Sequence, residues 1–452
     1  MVILFVLVGL IVLAVLGGLH WYAWRRLVRD TTSGPGPVRR LGTALFVAGP
    51  LLMVGAIVSE RAGAPFLLQQ TLSWPGFLWM PLGLYLVLAL LAGEFVRPVL
   101  RRALERRATR RAEGGGATSP TATATGPAVS TEPAEPVAST APAEPVGPAA
   151  PAEPVGLSAP ADSVGPAESA EPAGAVRSPS RRLFVSRIVG GTAAAVAVGT
   201  VGYGTYGVLR GPRVKRVTVP LAKLPRSAHG FRIAVVSDIH LGPVLGRGFA
   251  QQVVDTINST QPDLIAVVGD LVDGSVKNLG PAAAPLARLR ARHGSYFVTG
   301  NHEYFSGAEQ WIQEVRELGI HPLENARTEL AGFDLAGVND LQGESEGQGP
   351  DFGKALGDRD TTRACVLLAH QPVQIHEAVR HGVDLQLSGH THGGQLWPGN
   401  LIAAAANPTV AGLDRYGDTQ LYVSRGAGAW GPPTRVGAPS DITVVELASR
   451  EA

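Results

Sequence analysis

Cysteine is almost absent from this chain, because Cys365 is the only one among its 452 residues. A disulfide within the chain is therefore excluded. Cys365 lies in the apolar run 364–368, which predicts an unreactive thiol in the interior of a domain. The net charge is only +2, and the C-terminal part has no basic stripe with interleaved aromatic residues. The sequence thus carries no signal for nucleic-acid binding.

Aromatic residues are missing from one long segment, residues 112–179. This segment repeats Ala-Glu-Pro-Val at positions 134, 143 and 152. A segment of this composition buries too little apolar surface to offset its loss of chain entropy on ordering. We therefore expect residues 112–180 to be a disordered linker rich in Ala, Pro and Glu.

Polar residues are scarce in three runs of the first hundred residues, at 2–24, 41–58 and 77–96. At about 1.5 Å per residue, each run can cross a hydrocarbon core of roughly 30 Å as a helix. A fourth run, 183–209, is richer in Gly and Ala. We expect a membrane region at 1–111 with three helices, and a fourth transmembrane helix or signal anchor at 181–211.

Arginines at the ends of these runs predict the orientation. They follow the first run and the third, whereas the loop between the second and third runs has only Arg61. The positive-inside rule then puts the N-terminus outside, the end of the third span in the cytoplasm, and the chain beyond a fourth span outside. A basic cluster after the fourth run disagrees with this orientation, and it consists of Arg210, Arg213, Lys215 and Arg216.

The segment Ser180-Arg-Arg-Leu-Phe-Val185, just before the fourth run, resembles a twin-arginine export signal. Such signals export folded, metal-loaded proteins. The alternative is a pair of arginines that anchor the helix on the cytoplasmic side. Either interpretation places the C-terminal domain outside the membrane.

From about residue 212 to 452, short β-branched runs alternate with helical patterns. Strands are predicted at 231–236, 263–268, 295–298, 363–369 and 383–387, and helices at 249–259, 282–291, 309–318 and 373–380. This alternation predicts an α/β domain with helices on both faces of its sheet. The runs 421–424 and 441–446 are expected to add strands to a second sheet.

Polar residues that can bind metals follow these strands where each strand ends. They are Asp238, His240, Asp270, Asn301, His302, His370, His390 and His392. Ligands of α/β sheets bind at the carboxyl ends of the strands, so we expect these side chains to converge. Each has another explanation when taken alone, such as a helix cap, a turn or a loop histidine. However, five of the chain's 11 histidines belong to the set.

Carboxylate, amide and imidazole donors together suit Mn²⁺, Fe²⁺ or Zn²⁺, or a mixed pair, better than Ca²⁺. In a site with two metal ions, a carboxylate is the expected bridge. Asp270 follows its strand directly and is the candidate for that bridge. Such a pair would bind a phosphoryl group and activate water.

The chain here resembles the calcineurin-like metallophosphoesterases. The matching motifs, which cover residues 232–392, are Asp238-x-His240, Gly269-Asp270-x-x-Asp273, Gly300-Asn301-His302-Glu303, His370 and Gly389-His390-x-His392. The runs 389–395 and 422–433 are similar to those of a membrane-associated or exported branch that includes the YkuE-type and YaeI-type phosphodiesterases. The implied fold for 212–452 is a four-layer α/β/β/α sandwich of two mixed sheets, preceded here by an all-α transmembrane region.

The resemblance also implies a role for each residue. Asp238, His240 and His392 would bind one metal ion, Asn301, His370 and His390 a second, and Asp270 would bridge the two. His302 would be the catalytic acid rather than a ligand, with Glu303 as the acidic neighbour that orients it. Asp273 would hold the Asp270 loop in shape. The two divalent ions would be Mn, Zn or Fe.

The function implied is a membrane-anchored, binuclear metal-dependent phosphodiesterase, a hydrolase. The alternatives are a phosphomonoesterase, or a membrane sensor or scaffold whose outer domain binds a phosphorylated ligand. An active site outside the membrane suggests a lipid-linked or envelope-derived phosphoester as substrate. The apolar run 401–406 is either a membrane-facing lip or an ordinary helical turn or packed loop.

Overall fold

A computed structural model describes residues 2–114 and 181–450. The predicted linker at 112–180 therefore lies almost wholly outside the described residues. Residues Met1–Arg101 and Arg181–Ala452 belong to one compact unit, which contains both the apolar helices and the α/β domain.

Four long helices come from the four apolar runs. They are α1 (Val2–Trp24), α2 (Pro37–Arg61), α3 (Phe66–Gly114) and α4 (Arg181–Leu209). Among the described residues, three helical segments are long and apolar enough to cross a membrane, namely Pro37–Arg61, Phe66–Arg110 and Arg181–Leu209. The first run also forms one helix, of 23 residues. The described helices are thus those of a membrane protein.

Small residues allow α2 and α3 to approach closely. A Cβ atom at Gly49 of α2 would overlap the indole ring of Trp79 in α3. The same indole packs edge-on against Phe46, with ring centroids 5.5 Å apart. Glycine at a helix contact lets two apolar helices pack where lipid offers no hydrophobic driving force between them.

Two six-stranded sheets make up the domain that follows. The first sheet has the order β1 (Arg213–Leu221), β12 (Asp441–Ser449), β2 (Phe231–Val236), β3 (Leu264–Val268), β4 (Ser295–Val298) and β5 (His321–Pro322). All neighbours in it are parallel except β12 and β2. The sheet is therefore mixed, with β2, β3 and β4 ending at the same edge.

The second sheet is mixed as well. Its order is β10 (Gly412–Tyr416), β11 (Thr419–Val423), β9 (Leu385–Ser388), β8 (Ala364–Leu368), β7 (Phe333–Gly337) and β6 (Ala326–Glu329). The outermost pairs are antiparallel, and the strands between them are parallel. Strands β8 and β9 therefore also end at a common edge.

Alternation along the strands assigns their side chains to separate cores. In β2, Ile233 and Val235 pack between the two sheets, whereas Ala234 and Val236 face helices. Seven helices follow β2 in the chain: α5 (Arg247–Ser259), α6 (Val276–Ala283), α7 (Asn301–Ser306), α8 (Ala308–Glu317), α9 (Phe352–Leu356), α10 (Ile375–Arg380) and α11 (Gly399–Ala406). Helices α5, α6 and α8 cover the first sheet, and α9 and α10 cover the second. The four-layer α/β/β/α prediction is confirmed.

The run 441–446 was wrongly expected in the second sheet. It lies in the first sheet, because Thr443 pairs with Val235 in an antiparallel register. The helix predicted at 282–291 begins earlier, at Val276, and continues as a 3₁₀ segment at Ala284–Arg288. Pro281 and Pro285 interrupt the backbone hydrogen bonds there, which explains the tighter turn.

We expect Cys365 to be unreactive in the folded protein. The residue is fully buried in β8, and burial raises the pKa of its thiol to about 12. Iodoacetamide at pH 8 should leave the native chain unmodified and add one group per chain in denaturant, as counted by intact mass spectrometry. Rapid modification of the native protein would contradict this assignment.

Candidate metal centre

The predicted donor residues come together where strands of both sheets end. Asp238 and His240 follow β2, Asp270 follows β3 and Asn301 follows β4, whereas His370 follows β8 and His390 and His392 follow β9. Three groups, of which the first two share His240, have ligand atoms within 4.8 Å of one another: Asp238, His240 and His392; His240, Asp273 and His302; and Asp270, His370 and His390. The expected convergence is thus present, across two sheets rather than one.

The backbone of the candidate ligands is left-handed at five positions. The φ angles are 53° at Asp238, 50° at His240, 52° at Asp270, 71° at His390 and 52° at His392. A non-glycine residue in this region costs of order 1–3 kcal/mol, and such residues cluster at functional sites. The strands therefore end in sharp turns that point donor atoms into the space between the sheets.

Glycines in these turns leave no room for side chains. A Cβ atom at Gly389 would overlap Ser237 Oγ and Asp238 Oδ2, and one at Gly300 would overlap Asp270 Oδ1. The loops that carry the donors are therefore packed directly on one another.

The first group faces a common point. His240 Nε2 lies 3.0 Å from His392 Nε2, and His392 Nε2 lies 3.4 Å from Asp238 Oδ1. His240 uses its other nitrogen, Nδ1, in a 2.9 Å hydrogen bond to Asp273 Oδ1. Two imidazole nitrogens at this distance repel each other unless a proton or a cation lies between them.

Asp270, which belongs to the third group, also faces His240 of the first group. His370 Nε2 lies 3.2 Å from Asp270 Oδ2, and His240 Nε2 lies 3.7 Å from the same oxygen. On the other side, His390 Nδ1 lies 3.0 Å from Asn301 Oδ1. One carboxylate oxygen therefore faces imidazoles from both sheets.

The contacts of the His370 imidazole indicate whether a metal ion fits this arrangement. Its Nδ1 lies 2.9 Å from the carbonyl oxygen of Val268, so Nε2 is the nitrogen that faces Asp270 Oδ2. That Nε2 is buried and has no hydrogen-bond partner among the described residues. Although burial acts to lower it, the charge of Asp270 raises the pKa of His370 well above its usual value, so a cation is favoured between Nε2 and the carboxylate. A divalent metal ion can take the place of that proton, and the donor set fits such an ion.

Burial, and next the charge of His370, lower the pKa of His390 to about 4. Burial, and next the charge of His240, lower the pKa of His392 well below its usual value. Both imidazoles are therefore neutral near pH 7, which is the form that binds metals.

The two supporting carboxylates have the opposite roles to those expected. Glu303 does not orient His302: its carboxylate accepts hydrogen bonds from the backbone N–H groups of Asp270 (3.0 Å), Leu271 (2.8 Å) and Gly300 (2.6 Å). Asp273 Oδ1 is the group that contacts His302, at 2.6 Å from Nδ1. Glu303 is the third residue of its own turn, and this position directs its side chain back to the N-terminus of α7.

Asp273 controls the protonation of His302. Although burial acts to lower it, the hydrogen bond and charge of Asp273 raise the pKa of His302 to about 9. Burial acts to raise the pKa of Asp273, yet His240 and His302 lower the pKa of that carboxyl to about 2. At neutral pH the pair is thus a protonated imidazole held by a carboxylate. The His302 backbone N–H also donates to Asp270 Oδ1 (2.9 Å), which holds the imidazole beside the donor groups.

Sequence reasoning missed one residue of this site, Arg435. Its guanidinium is buried and donates to the carbonyl oxygens of His392 (3.0 Å), Gly428 (2.6 Å) and Ala438 (3.2 Å). Its Nη2 also lies 3.0 Å from His392 Nδ1. Arg435 lies in an irregular loop between β11 and β12, where no strand pattern or motif spacing indicated it.

The apolar helices contact the loops that carry this site. Tyr85 of α3 donates its hydroxyl to the Trp397 carbonyl oxygen at 2.9 Å, five residues after His392. The backbone N–H of Arg435 donates to the Gly204 carbonyl oxygen of α4 at 3.3 Å. The metal-binding loop and the Arg435 loop are each held by a membrane helix.

Comparison with known proteins agrees with this geometry. Residues 231–394 match the calcineurin-like phosphoesterase family. The chain is 39% identical over 259 residues to a transmembrane protein with metallophosphoesterase domain from Danio rerio, covering 54% of this chain and 59% of that protein. It is 38% identical over 247 residues to a metallophosphoesterase of Helicobacter pylori, covering 54% of this chain and 66% of the relative. The chain thus spans about three fifths to two thirds of the length of these two relatives.

A third relative is covered almost completely. The metallophosphoesterase YkuE of Bacillus subtilis is 30% identical over 288 residues, which are 61% of this chain and 99% of YkuE. The likeness to YkuE over almost its full length, together with the family match at residues 231–394, shows that the chain belongs to the calcineurin-like metallophosphoesterase family.

Proposed function

We propose that this chain is a membrane-anchored phosphodiesterase that uses two divalent metal ions. The observation that carries the proposal is Asp270 Oδ2, which faces His370 Nε2 at 3.2 Å and His240 Nε2 at 3.7 Å. A carboxylate between two sets of imidazole and oxygen donors is the arrangement that a pair of metal ions requires. Asp238, His240 and His392 would hold one ion, and Asn301, His370 and His390 the other.

Metal ions held there would neutralise charge on the phosphoryl oxygens and lower the pKa of a coordinated water. The protein's own contribution is to position these donors and a proton source. His302 is protonated at neutral pH through Asp273, and its imidazole lies at the edge of the site. It would donate a proton to the leaving oxygen of the ester or hydrogen-bond to it in the transition state.

The surroundings of His302 support a substrate with an organic group on the phosphate. The rings of Phe305 and Trp430 lie 5.5 Å and 5.6 Å from the His302 ring, centroid to centroid. Both aromatic side chains are more than half exposed, at 59% and 56%. Exposed aromatic rings around a catalytic acid favour an apolar or amphiphilic leaving group over a small polar one.

Further apolar side chains support a lipid-linked or envelope-derived phosphoester. Helix α11 has no buried residue, and its Leu401 and Ile402 are 66% and 76% exposed. Trp397 precedes this helix and is also exposed. An exposed apolar helix beside a site held by membrane helices suits the membrane interface.

Substitution of Asp270 by Asn should abolish hydrolysis, because both metal ions lose their shared carboxylate. The test uses the full chain purified in detergent with Mn²⁺, and compares bis(p-nitrophenyl) phosphate with p-nitrophenyl phosphate. The wild-type protein should prefer the diester. Asp255→Asn, a change of an exposed carboxylate on α5, is the matched control and should retain full activity.

A fully active Asp270→Asn protein would refute the bridging role. Preference of the wild-type protein for the monoester would replace the diesterase by a phosphomonoesterase. Binding of phosphate without hydrolysis of either ester would favour a sensor or scaffold.

Substitution of His302 by Ala should separate catalysis from metal binding. We expect the metal content to stay near that of the wild type, while turnover falls roughly 10²- to 10⁴-fold, the usual contribution of a positioned acid. Metal content is measured by inductively coupled plasma mass spectrometry. His376→Ala, on the exposed face of α10, is the control. Loss of metal from the His302 variant would make His302 a ligand instead.

The proposed orientation places the catalytic domain outside the cell membrane. Because the thiol of Cys365 is buried, a maleimide should label only a cysteine that is newly introduced at an exposed position. Asp358→Cys, at an exposed position of the domain, should react with a membrane-impermeant maleimide on intact cells. Arg106→Cys, after the third apolar run, should react only after permeabilisation. The reverse pattern would place the domain in the cytoplasm.

A further inference from the structure

A cavity lies against the C-terminal half of α4 and shares Arg435, but none of the proposed metal ligands, with the metal centre. Its volume is about 690 Å³, and its walls are α4, the start of β1 and the loop 435–440. Five of its lining residues are Val196, Gly199, Tyr203, Tyr206 and Arg210. They are spaced by three or four positions, so they form one stripe along the helix, about 21 Å long at about 1.5 Å per residue.

One end of this stripe is apolar and open. Val196 is exposed, and no atom of the described residues lies within 4 Å of a Cβ placed at Gly199. Both residues belong to a helix that is long and apolar enough to cross a membrane. Lipid chains are the neighbours that such a surface has in a bilayer.

The other end is cationic. Arg210 and Arg213 line the cavity, and neither forms an ion pair with a carboxylate in residues 2–114 and 181–450. The Arg210 guanidinium lies 6.0 Å from the centre of the Tyr206 ring. Arginines at the end of a membrane helix lie at the level of lipid head groups, where phosphate is the complementary charge.

A polar side chain without a partner completes this end. Ser440 is only 5% exposed and lines the cavity, yet its Oγ has no hydrogen-bond partner in the described part of the chain. The Arg213 backbone N–H donates to the Ser440 carbonyl oxygen at 3.2 Å, so the unpaired hydroxyl and Arg213 belong to the same end of the cavity. A buried hydroxyl without a partner indicates a ligand atom that hydrogen-bonds to it.

We propose that this cavity binds one anionic phospholipid. Its phosphate lies among Arg210, Arg213 and Ser440, and an acyl chain follows the stripe from Tyr206 to Val196. The proposal also gives a role to Arg210 and Arg213, two members of the basic cluster after the fourth span that opposes the orientation given by the other arginines. These two arginines bind lipid phosphate and so remain on the outer side. The cavity shares Arg435 with the metal centre, but the proposal does not rest on phosphoesterase activity.

The test measures lipid retention by native mass spectrometry on the full chain in a nonionic detergent. Phosphatidylglycerol added to the protein should remain bound as one molecule per chain, whereas phosphatidylcholine should not. Arg213→Gln and Arg210→Gln should each lower phosphatidylglycerol binding about tenfold, as expected for loss of a charge-assisted hydrogen bond. Arg216→Gln is the matched control, because Arg216 is also exposed on β1 but does not line the cavity.

A further variant fills the apolar end. Gly199→Leu should lower phosphatidylglycerol retention without changing any charge. Equal losses in Arg216→Gln and Arg213→Gln would mean attraction to general surface charge and would overturn the proposal. Displacement of the lipid by millimolar inorganic phosphate would also overturn it, since the site would then be one for soluble phosphate. Equal retention of phosphatidylcholine would have the same consequence.

Discussion

The structure depends most on the burial of one carboxylate, that of Asp270, which is only 2% exposed. A charge removed from water in this way needs opposite charge or metal around it. The compensating groups come from both sheets, with His240 following β2 and His370 following β8. The edges at which β2 and β8 end, one in each of the two stacked sheets, therefore have to lie next to each other at this point. The strained left-handed backbone at Asp270 directs its carboxylate to this point, at a cost in conformational free energy.

Around that carboxylate, two further acids, Glu303 and Asp273, have different supporting roles. Glu303 accepts three backbone N–H groups and so fixes the turn that carries Asp270. Asp273 instead binds the Nδ1 atoms of His240 and His302. The first contact leaves Nε2 of His240 free to bind metal, and the second keeps His302 protonated. Each carboxylate thus sets the chemical state of a neighbour, and neither is available as an ordinary surface charge.

The apolar helices do more than tether this domain. Tyr85 of α3 contacts the chain just beyond His392, and Gly204 of α4 contacts Arg435, which itself hydrogen-bonds to the His392 carbonyl oxygen. The loop that supplies ligands to the metal centre is therefore contacted by α3 directly and by α4 through Arg435.

The sequence by itself determined the apolar helices, the buried strands and the identity of the donors, because strand periodicity and the residue at a strand end are local features. It did not determine which carboxylate contacts His302, since Glu303 directly follows His302 in the chain, Asp273 closely follows Asp270, and only the packing of the two loops decides between these acids. Arg435 and the place of β12 in the first sheet were also decided by the tertiary structure. Arg435 contacts His392, which lies 43 residues earlier in the chain, and β12 pairs with β2, which lies about 200 residues earlier. Contacts over such distances follow from sheet order, which no local pattern in the chain encodes.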